Sequence, residues 1–175
     1  MKLRTVSNIA EATEIEELAK VSAARALAQV SALPSSDALA ALWEMKTAAL
    51  GCDPLDAETP LNLIEQLNQT FTYIASARAA KFLLKAHPEL APFQLNLGTS
   101  PGPDIESRAG RGLSAEVFAA VTPASNRKLQ RDIQKVCGTT AAFKYVFFMC
   151  PGYDEGVQPR LSRDGVTVWS LGGGV

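Results

Sequence analysis

The segment from Phe143 to Cys150 constrains the fold more than any other part of the chain. Seven of its eight residues are apolar, and Lys144 is the exception. A strand that shows one face to water alternates apolar with polar residues, whereas a nearly continuous apolar run is typical of a strand covered on both faces. We therefore predict a central strand here, in a sheet that lies between two other layers.

Weaker strand patterns precede and follow this run. Residues 93–97 alternate apolar and polar side chains, as a half-buried strand does. A short strand is expected around Asp104, Ile105 and Glu106, and the next at residues 113–121. A turn containing Gly110 and Gly112 separates these two, and a last strand is expected at residues 166–171.

Two helices are predicted in the first third of the chain. Residues 8–32 are rich in Ala and Glu and contain neither Gly nor Pro, a composition that favours helix. A second helix is expected after a cap at Ser36 or Asp37, with Gly51 as its C-terminal stop.

Two later helices are predicted from threonine-proline pairs, because proline is favoured in the first turn after a capping residue. Thr59-Pro60 predicts a helix that runs to about Ala86, and Thr122-Pro123 predicts one that runs to about Val136. In the first of these helices, spacings of three and four residues predict a buried apolar stripe. The stripe consists of Ile64, Leu67, Phe71 and Ile74.

The succession of these elements predicts an α+β fold with the order helix, strand, strand, strand, helix, strand. We expect residues 1–58 to form a helical extension packed on the core, and residues 59–175 to form the core itself. A chain of 175 residues is long enough to bury one such core.

Composition excludes several other classes of protein. Hydrophobic residues make up 47% of the chain and charged residues 20%, the balance of a globular protein rather than a disordered or fibrous one. The apolar runs are too short to span a bilayer, and no export signal is visible, so we expect a cytoplasmic protein. Three widely spaced cysteines and a single histidine indicate neither a disulfide framework nor a zinc site.

Two acidic residues form the candidate site. Glu116 is a lone carboxylate in an otherwise apolar predicted strand, and a buried carboxylate is costly unless it is paired or bound to a cation. If the second and third strands form a hairpin, Asp104 lies close enough to Glu116 to share a divalent metal ion. Mg²⁺ prefers carboxylate oxygens, one or two from the protein and the rest from water and phosphate. Asp104 and Glu116 are therefore the expected ligands of Mg²⁺ or Mn²⁺.

Pro103-Asp104, followed after a turn-rich segment by Glu116-Val117-Phe118, resembles the PD-(D/E)XK nuclease superfamily, which includes many restriction endonucleases. The resemblance covers roughly residues 60–150, including the order of helices and strands. It implies a restriction-endonuclease-like α/β/α core and metal binding by the two acidic residues. It also implies an assisting acidic residue on the first helix of the core, a position that Glu65 occupies.

One position departs from the family's pattern. Where the pattern has a lysine two residues after the acidic residue of the strand, this chain has Phe118, which neither donates a hydrogen bond nor carries charge. Some members of such families take the basic group from the following helix. Lys128 is the expected substitute here, with Arg127, Arg131 and Lys135 nearby.

Two functional hypotheses remain open. The first is a metal-dependent phosphodiester hydrolase, endonuclease-like, in which Asp104, Glu116, Lys128 and Glu65 are catalytic. The second is a catalytically inactive protein that keeps the nuclease fold as a binding or assembly module. DNA is the expected partner rather than RNA, although no recognition helix with a base code is visible. A homodimer is expected if both strands of a duplex are cut.

Overall fold

The computed structural model describes residues 2–34, 37–107 and 112–174, so Ser36 and Gly110, which were predicted as a cap and a turn residue, lie outside it. Within those ranges the helices are α1 (Ile9–Ser31), α2 (Ala38–Thr47), α3 (Leu63–Ala86) and α4 (Lys128–Cys137). The strands are β1 (Leu3–Val6), β2 (Gly51–Asp53), β3 (Asp56–Leu61), β4 (Phe93–Asn96), β5 (Ile105–Ser107), β6 (Leu113–Ala119), β7 (Phe143–Met149), β8 (Gly156–Val157) and β9 (Thr167–Ser170). The α+β class is thereby confirmed. None of the helices in the described ranges combines the length and apolar character needed to cross a bilayer.

The chain divides into two compact units. One unit comprises Met1–Ala12 and Ala75–Val175, and the other comprises Thr13–Ile74. In the part of the chain that the structure describes, the first contains a seven-stranded sheet and the second contains the two-stranded sheet of β2 and β3. β1 pairs antiparallel with β4 in the larger sheet. The sequence signals had placed β1 within an N-terminal helical extension, because four mostly exposed residues carry little strand pattern.

Among the described residues, the strands of the larger sheet follow the order β1-β4-β5-β6-β7-β9-β8. β4, β5 and β6 pair antiparallel, whereas β6, β7 and β9 are parallel neighbours. The predicted succession of three strands, a helix and a strand is confirmed as β4, β5, β6, α4 and β7. α4 connects two parallel neighbours and therefore crosses one face of the sheet.

β7 is the central strand that the apolar run predicted. It lies between β6 and β9, and both of its faces are covered. On one face, Val146 and Phe148 belong to the same apolar cluster as Leu129 of α4. On the other face, the ring of Phe147 lies 5.6 Å, centroid to centroid, from that of Phe82 in α3.

The Thr59-Pro60 pair does not begin a helix, which corrects the prediction. Both residues lie in β3, and the helix α3 begins at Leu63. The side chain of Asn62 accepts a hydrogen bond from the Glu65 N–H, and the Glu65 carboxylate accepts one from the Asn62 N–H. This reciprocal cap satisfies N–H groups that the first turn leaves free, and it sets the start of α3.

Thr122-Pro123 does not begin a helix either. The pair lies in a turn, and a short 3₁₀ segment follows in which Asn126 and Arg127 have φ angles of 51° and 55°. Two successive left-handed residues interrupt a right-handed helix. α4 therefore begins only at Lys128.

The buried face of α3 within the second unit also differs from the predicted stripe. Ile64 is 53% exposed and Leu67 is 46% exposed, whereas Gln66 and Thr70 are buried. The amide nitrogen of Gln66 donates hydrogen bonds to the hydroxyl oxygens of Ser22 and Thr70, each at 3.0 Å. Satisfied polar groups, rather than Ile64 and Leu67, occupy this interior position, whereas Ile74 is buried as predicted.

Candidate active site

Strand pairing brings Asp104 and Glu116 together. Ile105 in β5 lies opposite Ala115 in β6, so Asp104 and Glu116 are the next opposed residues of the antiparallel pair. Directly opposed side chains lie on the same face of a sheet. One oxygen of Asp104 accepts a hydrogen bond of 2.8 Å from the Val117 N–H, and the charge of Asp104 acts on Glu116.

Glu116 is the most enclosed member of the site, with only 2% of its surface exposed. The Lys135 ammonium lies 2.7 Å from Oε1 and 2.9 Å from Oε2 of Glu116, and its hydrogen bond is to Oε2. Oε1 is buried and receives no hydrogen bond from any described residue. Two neighbouring ionised carboxylates repel each other, which favours retention of a proton by one of them.

A second ion pair adjoins the first. The Lys128 ammonium donates a 2.8 Å hydrogen bond to Oδ1 of Asp132, which is 3% exposed. Oδ2 of Asp132 is buried without a hydrogen-bond partner in the part of the chain that the structure describes. Lys128, Asp132 and Lys135 are spaced by four and three residues, which places them along one face of α4.

Burial dominates the electrostatics of the three carboxyl groups. It raises the pKa of Glu116 to about 7, helped by the negative charge of Asp104 and opposed by the hydrogen bond from Lys135. Burial also raises the pKa of Asp104, against the Val117 N–H and the charges of Lys128 and Lys135. The pKa of Asp132 is raised by burial as well, against its hydrogen bond from Lys128.

Phe118 is a core residue. It is 4% exposed, and its ring stacks on that of Phe148 with 6.1 Å between centroids. The Lys128 ammonium lies 5.8 Å from the centre of the Phe118 ring. A cation of α4 is therefore present beside the side chain that stands where the family pattern has lysine.

The structure brings together three of the four residues predicted to be catalytic, namely Asp104, Glu116 and Lys128. Glu65 belongs to the other compact unit, where it caps its own helix. Sequence reasoning did not name Asp132, and it named Lys135 only as a neighbour of Lys128. Their spacing along a charged face next to the apolar face of α4 was the signal that could have identified both.

The donor set suits a hard cation held by few protein ligands. No group of three or more His, Cys, Asp or Glu side chains within residues 2–34, 37–107 and 112–174 is arranged to hold a metal ion. Mg²⁺ is commonly bound through only one or two carboxylates, with water and phosphate completing its coordination. The carboxylates of Asp104 and Glu116, on opposed positions of the strand pair, fit this requirement.

The chain matches no protein-family model, no curated protein and no solved structure. The chemistry of the site is therefore inferred from its own residues.

Proposed function

We propose that this protein is a metal-dependent phosphodiester hydrolase that acts on DNA, with catalytic groups arranged as in the PD-(D/E)XK superfamily. The observation that carries the proposal is the meeting of two carboxyl groups with an ammonium group of the next helix. Half-buried Asp104, directly before β5, lies opposite buried Glu116 of β6, which Lys135 contacts. The order of β4, β5, β6, α4 and β7 around these groups supports the same assignment.

Asp104 and Glu116 would hold Mg²⁺ or Mn²⁺ between β5 and β6. A bound cation of this kind polarises the scissile phosphate and lowers the pKa of an attacking water. The pKa of about 7 for Glu116 means that the pair still shares a proton near neutral pH. Loss of that proton prepares both carboxylates to act as ligands.

Two lysines supply the positive charge that Phe118 cannot. Lys135 stabilises the ionised form of Glu116 through contacts of 2.7 and 2.9 Å. Lys128, held 2.8 Å from Asp132, places its ammonium beside the Phe118 ring. We assign to Lys128 the stabilisation of charge on the phosphate during in-line attack by water, and to Lys135 the orientation of Glu116.

Nucleic acid is the proposed substrate class, and DNA is preferred over RNA on the family resemblance alone. Cleavage of both strands of a duplex would call for two copies of the site, and therefore for a homodimer.

The central test measures divalent-ion-dependent cleavage of plasmid and oligonucleotide DNA by wild-type protein, Asp104→Asn and Glu116→Gln. Each variant should lower the cleavage rate by more than about a hundredfold, because each removes a direct metal ligand. Mutation of residues that only hydrogen-bond to metal ligands already lowers metal affinity or activity by about 10–100-fold. Glu106→Gln is the matched control, since Glu106 is an exposed acid on β5 two residues from Asp104. Cleavage that persists in either site variant would remove the proposal.

A non-catalytic binding or assembly module is the second candidate, favoured by the burial of Phe118 in the apolar core. It predicts no heat of Mg²⁺ or Mn²⁺ binding at millimolar concentration, whereas the hydrolase predicts binding that Asp104→Asn abolishes. Calorimetry of the two proteins therefore separates the candidates without a substrate.

A further inference from the structure

A cavity of the larger unit lies at the carboxyl ends of the parallel strands β6 and β7. It has a volume of about 270 Å³, and its polar lining comprises Thr122, Arg127, Gln130, Tyr153, Arg160 and Arg163. These residues come from the β6–α4 connection, from the first turn of α4 and from the chain between β7 and β9. In sheets of this kind, ligands commonly bind in the crevice beyond the carboxyl ends of parallel strands.

The cavity is strongly basic. Among the residues that the structure describes, three arginines and no acidic residue line it. Among the described residues, Arg127 and Arg160 form no salt bridge, and Arg163 has only a 4.0 Å contact with the exposed Asp164. Three guanidinium groups without close carboxylate partners make a cavity that favours an anion.

The start of α4 adds to this preference. α4 has ten residues, and its N-cap position, Arg127, makes no side-chain hydrogen bond to the first turn. Gln130 of that first turn lines the cavity. N–H groups at the start of a helix and the positive end of the helix dipole both favour an anionic ligand.

We propose that this cavity binds a phosphate group. The planar guanidinium fork matches the oxygens of phosphate in a bidentate fashion, and a group with several charged oxygens can engage more than one arginine. The site is separate in composition from the carboxylates Asp104 and Glu116, which repel anions. Phosphate binding goes beyond the proposed hydrolase activity and does not depend on it.

The experiment compares wild-type protein with the Arg127→Gln/Arg160→Gln double variant, using inorganic phosphate as the first probe and a single-stranded oligodeoxynucleotide as the second. Arg4→Gln is the matched control, because Arg4 is an exposed arginine on the edge strand β1 and does not line the cavity. Heteronuclear NMR titration with phosphate should show weak, saturable shifts in wild type and in the control. The double variant should bind at least about tenfold more weakly, since it loses two charge-assisted contacts.

The oligonucleotide arm distinguishes the backbone of a nucleic acid from free phosphate. If the cavity holds a backbone phosphate, the slope of log affinity against log salt should fall by about 1.4 in the double variant, or about 0.7 for each lost contact. An unchanged slope with lost phosphate binding supports a free phosphate or small phosphate ester as the ligand.

Two results would overturn the proposal: wild-type protein that shows no saturable phosphate binding, and a double variant that binds phosphate as tightly as Arg4→Gln does. Circular dichroism establishes that the double variant is folded, and the two single variants replace it if it is not. Asp104→Asn should bind phosphate as wild type does, so failure of the hydrolase proposal is distinguishable from failure of this one.

Discussion

Replacing Glu116 by glutamine should change how the stability of the protein depends on pH. In the folded protein, burial and the charge of Asp104 raise the pKa of Glu116 from 4.5 to about 7. Between these two values the folded state binds more protons than the unfolded state, so the free energy of unfolding falls as the pH rises. Below about pH 4.5 the stabilisation that comes from the raised pKa of Glu116 is fully present, and above about pH 7 it is fully lost.

The magnitude follows from the pKa difference. The interval from 4.5 to about 7, at about 1.36 kcal/mol per pKa unit, corresponds to about 3 kcal/mol of unfolding free energy. Asp104 and Glu116 interact directly, so the retained proton belongs to the pair rather than to one residue. Glutamine cannot ionise, so the Glu116→Gln variant lacks this titration.

The assay is urea unfolding, followed by circular dichroism between pH 5 and pH 8 in the presence of a chelator. The free energy of unfolding of wild-type protein should fall as the pH rises over this range, and that of Glu116→Gln should fall much less. Glu106→Gln, which changes an exposed acid on the neighbouring strand, should follow wild type. If wild type and Glu116→Gln show parallel pH profiles, the reasoning about the buried carboxylate pair is refuted.

Further substitutions and ligands test other parts of the structure. Phe118→Lys restores the family's residue type but places an ammonium in the apolar core. It should therefore lower the free energy of unfolding by about 3–5 kcal/mol in urea titrations, without raising cleavage. Near-wild-type stability would contradict the role of Phe118 in the core. Lys135→Met removes the cation from Glu116 and should raise its pKa further, moving the pH profile of stability upward, whereas an unmoved profile would contradict the ion pair. At pH 8, Mg²⁺ at ten times its Kd should raise the free energy of unfolding by about 1.4 kcal/mol. At pH 5 the same concentration should raise it much less, because protons then compete with Mg²⁺ for the carboxylates. Equal stabilisation at both pH values would argue against Asp104 and Glu116 as ligands. Gly51→Ala, whose new Cβ would collide with the Gln66 amide, should cost about 1–3 kcal/mol, whereas Gly138→Ala, which has room, should not; equal stabilities would contradict the tight packing at Gly51.

Local patterns in the sequence predicted the central part of the larger sheet well. The apolar run of β7, the alternation in β4 and the acidic residue in β6 each report burial directly, because side chains alternate between the two faces of a strand. The hairpin of β5 and β6 needed only a short connection, so its pairing and the proximity of Asp104 to Glu116 could be inferred. The α+β class and the position of α4 between β6 and β7 followed from the same patterns.

Tertiary structure alone decided the features that depend on distant partners. β1 is a strand because it pairs with β4, some ninety residues further along the chain, and its own exposed residues hardly indicate this. Gln66 faces inward because Ser22 and Thr70 satisfy its amide, so polar residues take the place of Ile64 and Leu67 in the buried face of α3, whereas Ile74 is buried as predicted.

The same holds for the partners within the candidate site. A sequence could show that α4 carries several cations, but not that Lys135 reaches Glu116 while Lys128 binds Asp132. Periodicity specifies which side chains share a face of one element. Which of them meet across two elements is determined by packing of the whole sheet and helix, because burying a charge is tolerated only where the complete fold supplies its partner.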